Sequence, residues 1–401
     1  MAFPLPDKPS IAVLPFVNMS DDAQQEYFVD GMTEDLITDL SKLSGLFVIA
    51  RNSVFTYKGK AVKVKQVAEE LGVRYVLEGS VRRAGDQVRI NAQLIDARTG
   101  GHLWAERYDG QLTDIFGLQD RVTNSIISAM AVEITPLEQQ VLTRRETDNL
   151  QAYDYVLRGR QQLRRHSREG VANAKEFFEK AVDLDPSYAR AHTNLGLLYY
   201  NEWRLWGRNR NENLALAMEY GRKAVAQDDR SAGTHMLLAV VHHYLGEQDE
   251  AEIEAQRALV LDPTHPETLG NLGDFLRRSG RPAEAIKLLN KAIRLDPYYP
   301  PDYLAWLGHS YFDLGEYEEA IRVLDEGVAQ QPDYLPFHLF LAQSYATLDR
   351  QEEAKSQVAE VLRLNPAFTV SKYEAYMSLS IKNFKYLEPD LVAQRKAGIP
   401  E

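Results

Sequence analysis

Four carboxylates, Asp30, Glu34, Asp35 and Asp39, fall within ten residues of the stretch YFVDGMTEDLITDLSKLSGLFVIARN, and Arg51 follows them. Paired carboxylates beside a guanidinium can act as a general acid and base. The same residues can be the polar side of a helix. Met32, Leu36, Ile37, Leu40 and Leu43 recur at three and four, the stripe of a core-facing helix. Asp30 and Glu34 are expected near its start, where negative charge is favourable. Asp35 and Asp39 lie four apart on another face, a slightly repulsive pair open to a partner contact. Gly45 is the expected stop. Helix geometry thus accounts for every acid without a reaction.

Other chemistry finds little support. No Gly-x-x-x-x-Gly-Lys loop occurs, and YKGK (Tyr57–Lys60) lacks the upstream glycine of a phosphate cradle. No Gly-x-Ser-x-Gly elbow and no His-Glu-x-x-His pair is present. His235, His242 and His243 are close in sequence, but the first two occupy repeat positions that pack between helices. They read as core or groove histidines rather than metal ligands. The chain has no cysteine, which excludes thiol nucleophiles, disulfides and cysteine-held metals. No catalytic, cofactor-binding or metal-binding residue is expected, and the chain does not read as an enzyme.

The elements that would position any site fall into two halves. At 401 residues, two or more domains are expected. The net charge of −12 and the lack of a basic block argue against nucleic acid and a basic membrane-surface patch. No run of 18 apolar residues suggests membrane insertion. The start MAFPLPDKPS lacks the regions of a signal peptide. Cytoplasm and periplasm both remain open.

Residues 8–134 read as an α/β domain. SIAVLPF (Ser10–Phe16) and LFVIA (Leu46–Ala50) are expected strands, with VNMSDD as a turn and VKQVAEELG (Val64–Gly72) as a helix stopped by glycine. RYVLEGSVRR, VRINAQLID and HLWAERYDG, joined by AGDQ and ARTGG, predict an antiparallel meander. Arg82, Arg83 and Arg89 read as a solvated sheet edge. Val122, Ile126, Met130 and Ile134 mark one side of a closing helix. Residues 135–150 form the expected linker.

Residues 151–380 repeat. Alanines at 174, 217, 251, 285, 320 and 354 are mostly 34 residues apart, and each precedes a stop such as Asp185-Pro186, Asp262-Pro263 or Asp296-Pro297. LGLLY (Leu195–Tyr199), LGDFL (Leu272–Leu276), LGHSY (Leu307–Tyr311) and LAQSY (Leu341–Tyr345) lie upstream. This pattern resembles the tetratricopeptide repeat. Small residues let paired helices touch, large ones fill the space between pairs, and proline ends the second helix. Six pairs fit, forming an all-α superhelix. A helix near 369–380 is expected to cap it, and the tail 381–401 to close the open end. The insertion NEWRLWGRNRNEN (Asn201–Asn213) reads as a lengthened helix pair or as a contact loop carrying Trp203, Arg204, Trp206, Arg208 and Arg210.

The repeats offer a groove lined by the first helix of each pair. Arg190, Thr193, Tyr200, His243, Asp274, Arg277, His309, Asp313 and Gln343 are its expected lining, suited to a peptide or protein partner.

The stretch from PDKPSIAVLPF to HLWAERYDG, roughly residues 8–134, resembles the N-terminal domain of TolB and the flagellar FlgO domain. In that family the module with linked repeats commonly follows a class III adenylate/guanylate cyclase catalytic domain, and in other relatives a winged-helix regulator. The resemblance implies a non-catalytic regulatory half, binding a protein partner and able to form homo-oligomers. It also implies a periplasmic place if a membrane helix precedes it. Small-ligand sensing by the α/β domain is the competing expectation, tested by an apolar pocket between sheet and helices.

Overall fold

The computed structural model describes residues 5–401 apart from 143, 144, 166, 208, 380 and 382, and apart from the side chains of 137, 205 and 206. The α/β half builds one mixed sheet from β1 (Ser10–Val13), β2 (Val17–Asn18), β3 (Phe47–Val48), β4 (Tyr75–Ala84), β5 (Gln87–Asp96) and β6 (Gly101–Gln111). The order is β3-β1-β4-β5-β6, and β2 pairs with β4 off this path. β1 is parallel to both β3 and β4. All four of its residues are buried, as expected for a parallel strand covered on both faces. β4, β5 and β6 form the meander, with Val81 opposite Ile90 and Ile90 opposite Tyr108. Val88, Ile90, Ala92 and Leu94 face inward.

Three sequence expectations change. LFVIA keeps only two residues of strand, and Val17–Asn18, inside the expected turn, pairs with Ser80 and Val81. Two residues are too short for alternation to show. The meander's edge strand is β6, whereas Arg89 on the inner strand β5 pairs with Asp109 at 2.6 Å.

The helices of this half are α1 (Glu26–Ser41), α2 (Arg51–Phe55), α3 (Val64–Leu71), α4 (Ile115–Ala129) and α5 (Pro136–Leu142). α1 starts at Glu26, so Asp30 and Glu34 sit in its interior rather than near its start. α3 stops at Gly72, whose φ of +62° suits glycine. α4 ends before Ile134, because Ala131 turns the chain at φ +50°.

Six antiparallel helix pairs follow: α6 (Leu150–Leu163) with α7 (Arg168–Leu184), α8 (Ala189–Trp206) with α9 (Arg210–Gln227), and α10 (Ala232–Leu245) with α11 (Gln248–Leu261). Then come α12 (Pro266–Arg278) with α13 (Pro282–Leu295), α14 (Pro301–Asp313) with α15 (Tyr317–Gln330), and α16 (Leu335–Thr347) with α17 (Gln351–Leu364). The six periodic alanines are each fully buried, which is why small residues recur there. A Cβ at Gly308 would meet Leu324 Cγ at 2.5 Å, so this pair needs glycine to close. The insertion lengthens its pair: α8 and α9 have 18 residues each, against 13 and 14 in α12 and α13. The chain ends with α18 (Val370–Met377) and α19 (Glu388–Ala397).

Contacts divide the chain into two compact units. One comprises Met1–Leu238, Arg257–His265 and Arg294–Tyr298; the other comprises Ala239–Gln256, Pro266–Ile293 and Tyr299–Glu401. The first unit therefore joins the whole sheet to the first two helix pairs and to the turns that follow α11 and α13. Among the described residues no helix is long and apolar enough to cross a membrane.

Candidate functional site

In the first unit two of the acids of α1 are buried, not wet, while Asp30 and Asp39 are half-buried. Glu34 and Asp35 are each 8% exposed. Gly31 lets α1 approach α6, since a Cβ there would meet Leu157 Cδ2 at 2.6 Å. Arg160 in the last turn of α6 and Arg164, the residue that caps it, lie four residues apart on one face. Arg160 Nη2 donates to Glu34 at 2.6 Å, Arg164 pairs with its other oxygen, and Arg51 Nε lies 3.5 Å away. Burial pushes the Glu34 carboxyl up, but these three guanidiniums outweigh it and hold it at about 2. A carboxyl held there is a poor general base near neutral pH.

Asp35 is held by a different set. Tyr153 donates its hydroxyl at 2.6 Å, Gln119 its amide at 3.3 Å and Arg190 its Nη1 at 2.7 Å. Arg190 also donates to Glu146 at 2.8 Å. Burial and the Asp35 charge push the Tyr153 phenol well above its usual value. Burial works against the Arg190 charge, yet Glu146 and Asp35 raise its pKa well above the usual one. Glu34 and Asp35 are therefore fixed in ion pairs that join the α/β domain to the repeats, whereas Asp30 pairs with Lys58 and Asp39 with Lys42 inside the α/β half.

The repeat stops make a second set of joints. Ser41 on α1 donates to Asp262 at 2.8 Å, and Thr264 donates to the Ser41 carbonyl at 2.8 Å. Ser53 on α2 donates to Asp296 at 2.5 Å and accepts the Tyr298 amide at 2.8 Å. Thr147 donates to Asp185 at 2.6 Å. Arg294 reaches the carbonyls of Leu71 and Gly72 at 3.1 and 2.7 Å, capping the end of α3. Sequence reasoning found these aspartates only as helix stops. Their repetition was visible, but nothing local marked the serines that meet them.

The second unit has its own buried polar cluster. On α12, Arg277 bonds Asp274 at 3.1 Å and Asp313 of α14 at 3.3 Å, while Arg278 bonds Asp274 at 2.7 Å. Burial pushes Asp274 up, but Arg278 and Arg277 hold it at about 2. His309 Nε2 lies 2.8 Å from Asp390 of α19, which also accepts the Tyr373 hydroxyl at 2.8 Å. Ligand-type atoms of His309, Asp313 and Asp390 lie within 4.8 Å of one another. Arg277 already neutralises Asp313, so the set reads as an ion-pair network. His243 stacks on Phe275 with centroids 4.4 Å apart, and burial lowers its pKa to about 3.

All nine expected groove positions are buried or half-buried. Arg190, Asp274, Arg277, His309 and Asp313 pair as described. Thr193 shares a hydrogen bond with Thr234 at 2.6 Å, Tyr200 packs its ring edge-on to Trp203, and Gln343 is fully buried. In the insertion Trp203 is buried under the Arg210 guanidinium, 5.7 Å from its ring, whereas Arg204 is exposed. The Trp206 side chain and Arg208 lie outside the described residues. His192, His235 and His338 each donate to a carbonyl six residues earlier, at 2.9, 2.7 and 2.7 Å, a repeated packing role. A cleft of about 850 Å³ is lined by Arg145, Glu146, Asn149, Asp185 and Gln227; it is polar and lies on the linker rather than the sheet.

Comparison with known proteins adds the following. Residues 7–125 match the family described as HilA/YgeH-like transcriptional regulator, second domain. Residues 171–188 and 311–372 match tetratricopeptide repeat families, and residues 248–327 match anaphase-promoting complex, cyclosome, subunit 3. The repeats are tetratricopeptide repeats. The chain is 47% identical over 249 residues to "Putative adenylate cyclase 3" of Rhizobium meliloti, covering 62% of this chain and 42% of that protein. It is 20% identical over 355 residues to the transcriptional regulator HilA of Salmonella typhimurium, covering 87% and 62%. The chain thus spans less than two thirds of either relative. Among solved structures, Pseudomonas aeruginosa PilF is similar at a TM-score of 0.45 and 23% identity, covering 57% of this chain and 96% of PilF.

Proposed function

We propose that the chain is a non-catalytic protein-interaction and regulatory module, the sensory or scaffolding half of a class III adenylate cyclase signalling protein. The observation that carries this reading is the buried ion-pair set of Glu34 and Asp35 with Arg160, Arg164 and Arg190. It makes the α/β domain and the first helix pairs one mechanical piece. A partner bound to the repeats would then alter the α/β domain and the output domain attached to it. The likeness to a putative adenylate cyclase supports the choice of output. The TolB-like domain supplies the rigid base, and homo-oligomerisation would set the pairing of two catalytic domains.

Crosslinking in cells followed by mass spectrometry is the test. The reading expects a protein partner whose crosslinks fall on the repeats, and no cyclic-nucleotide formation by this chain alone. No partner and a strictly monomeric species, or measurable turnover, would overturn it.

A second reading has its own support. The match of residues 7–125 to the HilA-type domain, and the likeness to HilA over most of the chain, favour the regulatory part of a winged-helix regulator. The neighbouring coding sequence separates the two: a cyclase domain favours the first, a winged helix the second.

A further inference from the structure

α19 packs on α16, the first helix of the last pair. It delivers Asp390, 1% exposed, between the imidazole of His309 on α14 and the hydroxyl of Tyr373 on α18. Burial works to raise the Asp390 carboxyl, but His309 and Arg277 hold it low, so the surroundings favour a carboxylate. Other polar atoms here are left over. His309 Nδ1 and both amide atoms of Gln343 and of Gln394 are buried without hydrogen-bond partners. Gln343 and Gln394 are both fully buried. Buried amides are normally paired, and a helix serving only as a cap would present apolar residues to its support. The face beneath α19 thus matches its occupant in charge and mismatches it in hydrogen bonding.

We propose that the face of α14 and α16 beneath α19 is the binding site for a helical segment of a partner protein, and that α19 is its resident competitor. The segment carries one carboxylate, which replaces Asp390 between His309 and Tyr373. It carries small or branched apolar residues where α19 places Leu391, Ala393 and Ala397, all buried. It supplies a polar group for the Gln343 amide. This rests on the reading of the repeats as a protein-binding module, and it names both the partner's chemistry and the element that must leave.

The probe is a fluorescent peptide of residues 384–401, titrated by anisotropy into full-length chains. Wild type should bind it weakly, because α19 occupies the site. Full-length Asp390→Asn should bind it at least tenfold more tightly, and the same peptide carrying Asp390→Asn should lose at least tenfold on that chain. His309→Ala in the Asp390→Asn background should remove the gain. If Asp390→Asn fails to keep its helical circular dichroism, Leu391→Ala weakens α19 by packing alone and should give the same gain. Equal binding by wild type and a folded variant, or indifference to the peptide's carboxylate, would overturn the proposal. A cellular partner whose binding ignores Asp390→Asn would overturn it while leaving the proposed function standing. Peptide binding as expected, with no protein partner in cells, would overturn both and leave α19 as a closing helix alone.

Discussion

Arg190 donates to Asp35 at 2.7 Å across 155 residues of sequence. An arginine expected to line an open groove is thus held by the chain's own first helix. Arg190→Ala leaves the buried Asp35 without its cation and frees the exposed Glu146. Removing one partner of a buried ion pair costs about 3–5 kcal/mol. Chemical denaturation should show a loss of that order, and amide exchange should show α1 opening earlier. An exchange pattern unchanged in α1 would separate Arg190 from the joint.

Acid should weaken the same joint through Glu34. Its carboxyl lies at about 2 in the fold against an ordinary 4.5. Its contribution is complete above pH 4.5 and is lost as pH falls toward 2, because the unfolded chain takes up the proton first. The shift corresponds to about 3 kcal/mol. Asp30 and Asp39 are pushed the other way by burial and offset part of this slope. Glu34→Gln should start less stable at pH 6 and show a shallower decline below pH 4.5. Parallel stability curves for the two proteins would exclude this assignment.

His243 predicts a separate slope in the second unit. Burial holds its imidazole neutral, with a pKa of about 3 against an ordinary 6.5. Stability is complete above pH 6.5 and falls as the unfolded chain protonates below it. His243→Phe keeps a ring against Phe275 and removes the titration. It should flatten the stability curve between pH 6.5 and 4 by a few kcal/mol, on the order of the linkage expected for a shift of several units. A wild-type slope retained in the variant would count against it.

Ser53 tests the joints at the repeat stops. Its hydroxyl satisfies both Asp296 and the Tyr298 amide. Ser53→Ala leaves the buried Asp296 and the part-buried Tyr298 amide each short of a partner, at about 1–3 kcal/mol. Ser53→Thr keeps the hydroxyl and should recover part of that loss. Thermal unfolding of the two variants reads the difference.

The sequence made the repeats legible because their constraints are local and recur. A small residue at 285 or 320 is needed wherever two helices touch, so the period announces itself. β5 was legible for the same reason, since alternation is a property of neighbours. The joints were not. Glu34 and Arg160 meet across 126 residues, and neither residue type looks unusual on a surface helix. The acid–arginine pairing was half visible in the nearness of Arg51 to the carboxylates. The two arginines that hold Glu34 most closely come from the end of α6 and its cap, where a basic face reads as solvated. Periodicity assigned the expected groove residues to the first helix of each pair. What covered them depended on α1 and α19, which no repeat pattern describes.

Repeat arrays usually gain and lose units freely, because each unit touches only its neighbours. Here the turns at Asp262 and Asp296, one period apart, meet Ser41 and Ser53 of a single folded domain. A unit added or deleted between α7 and α11 would carry both aspartates about a full repeat away from their serines, and one between α11 and α13 would do so for Asp296. The α/β domain therefore acts as a gauge for the count of repeats, and the array's length should be held constant over that span while its far end stays free to vary.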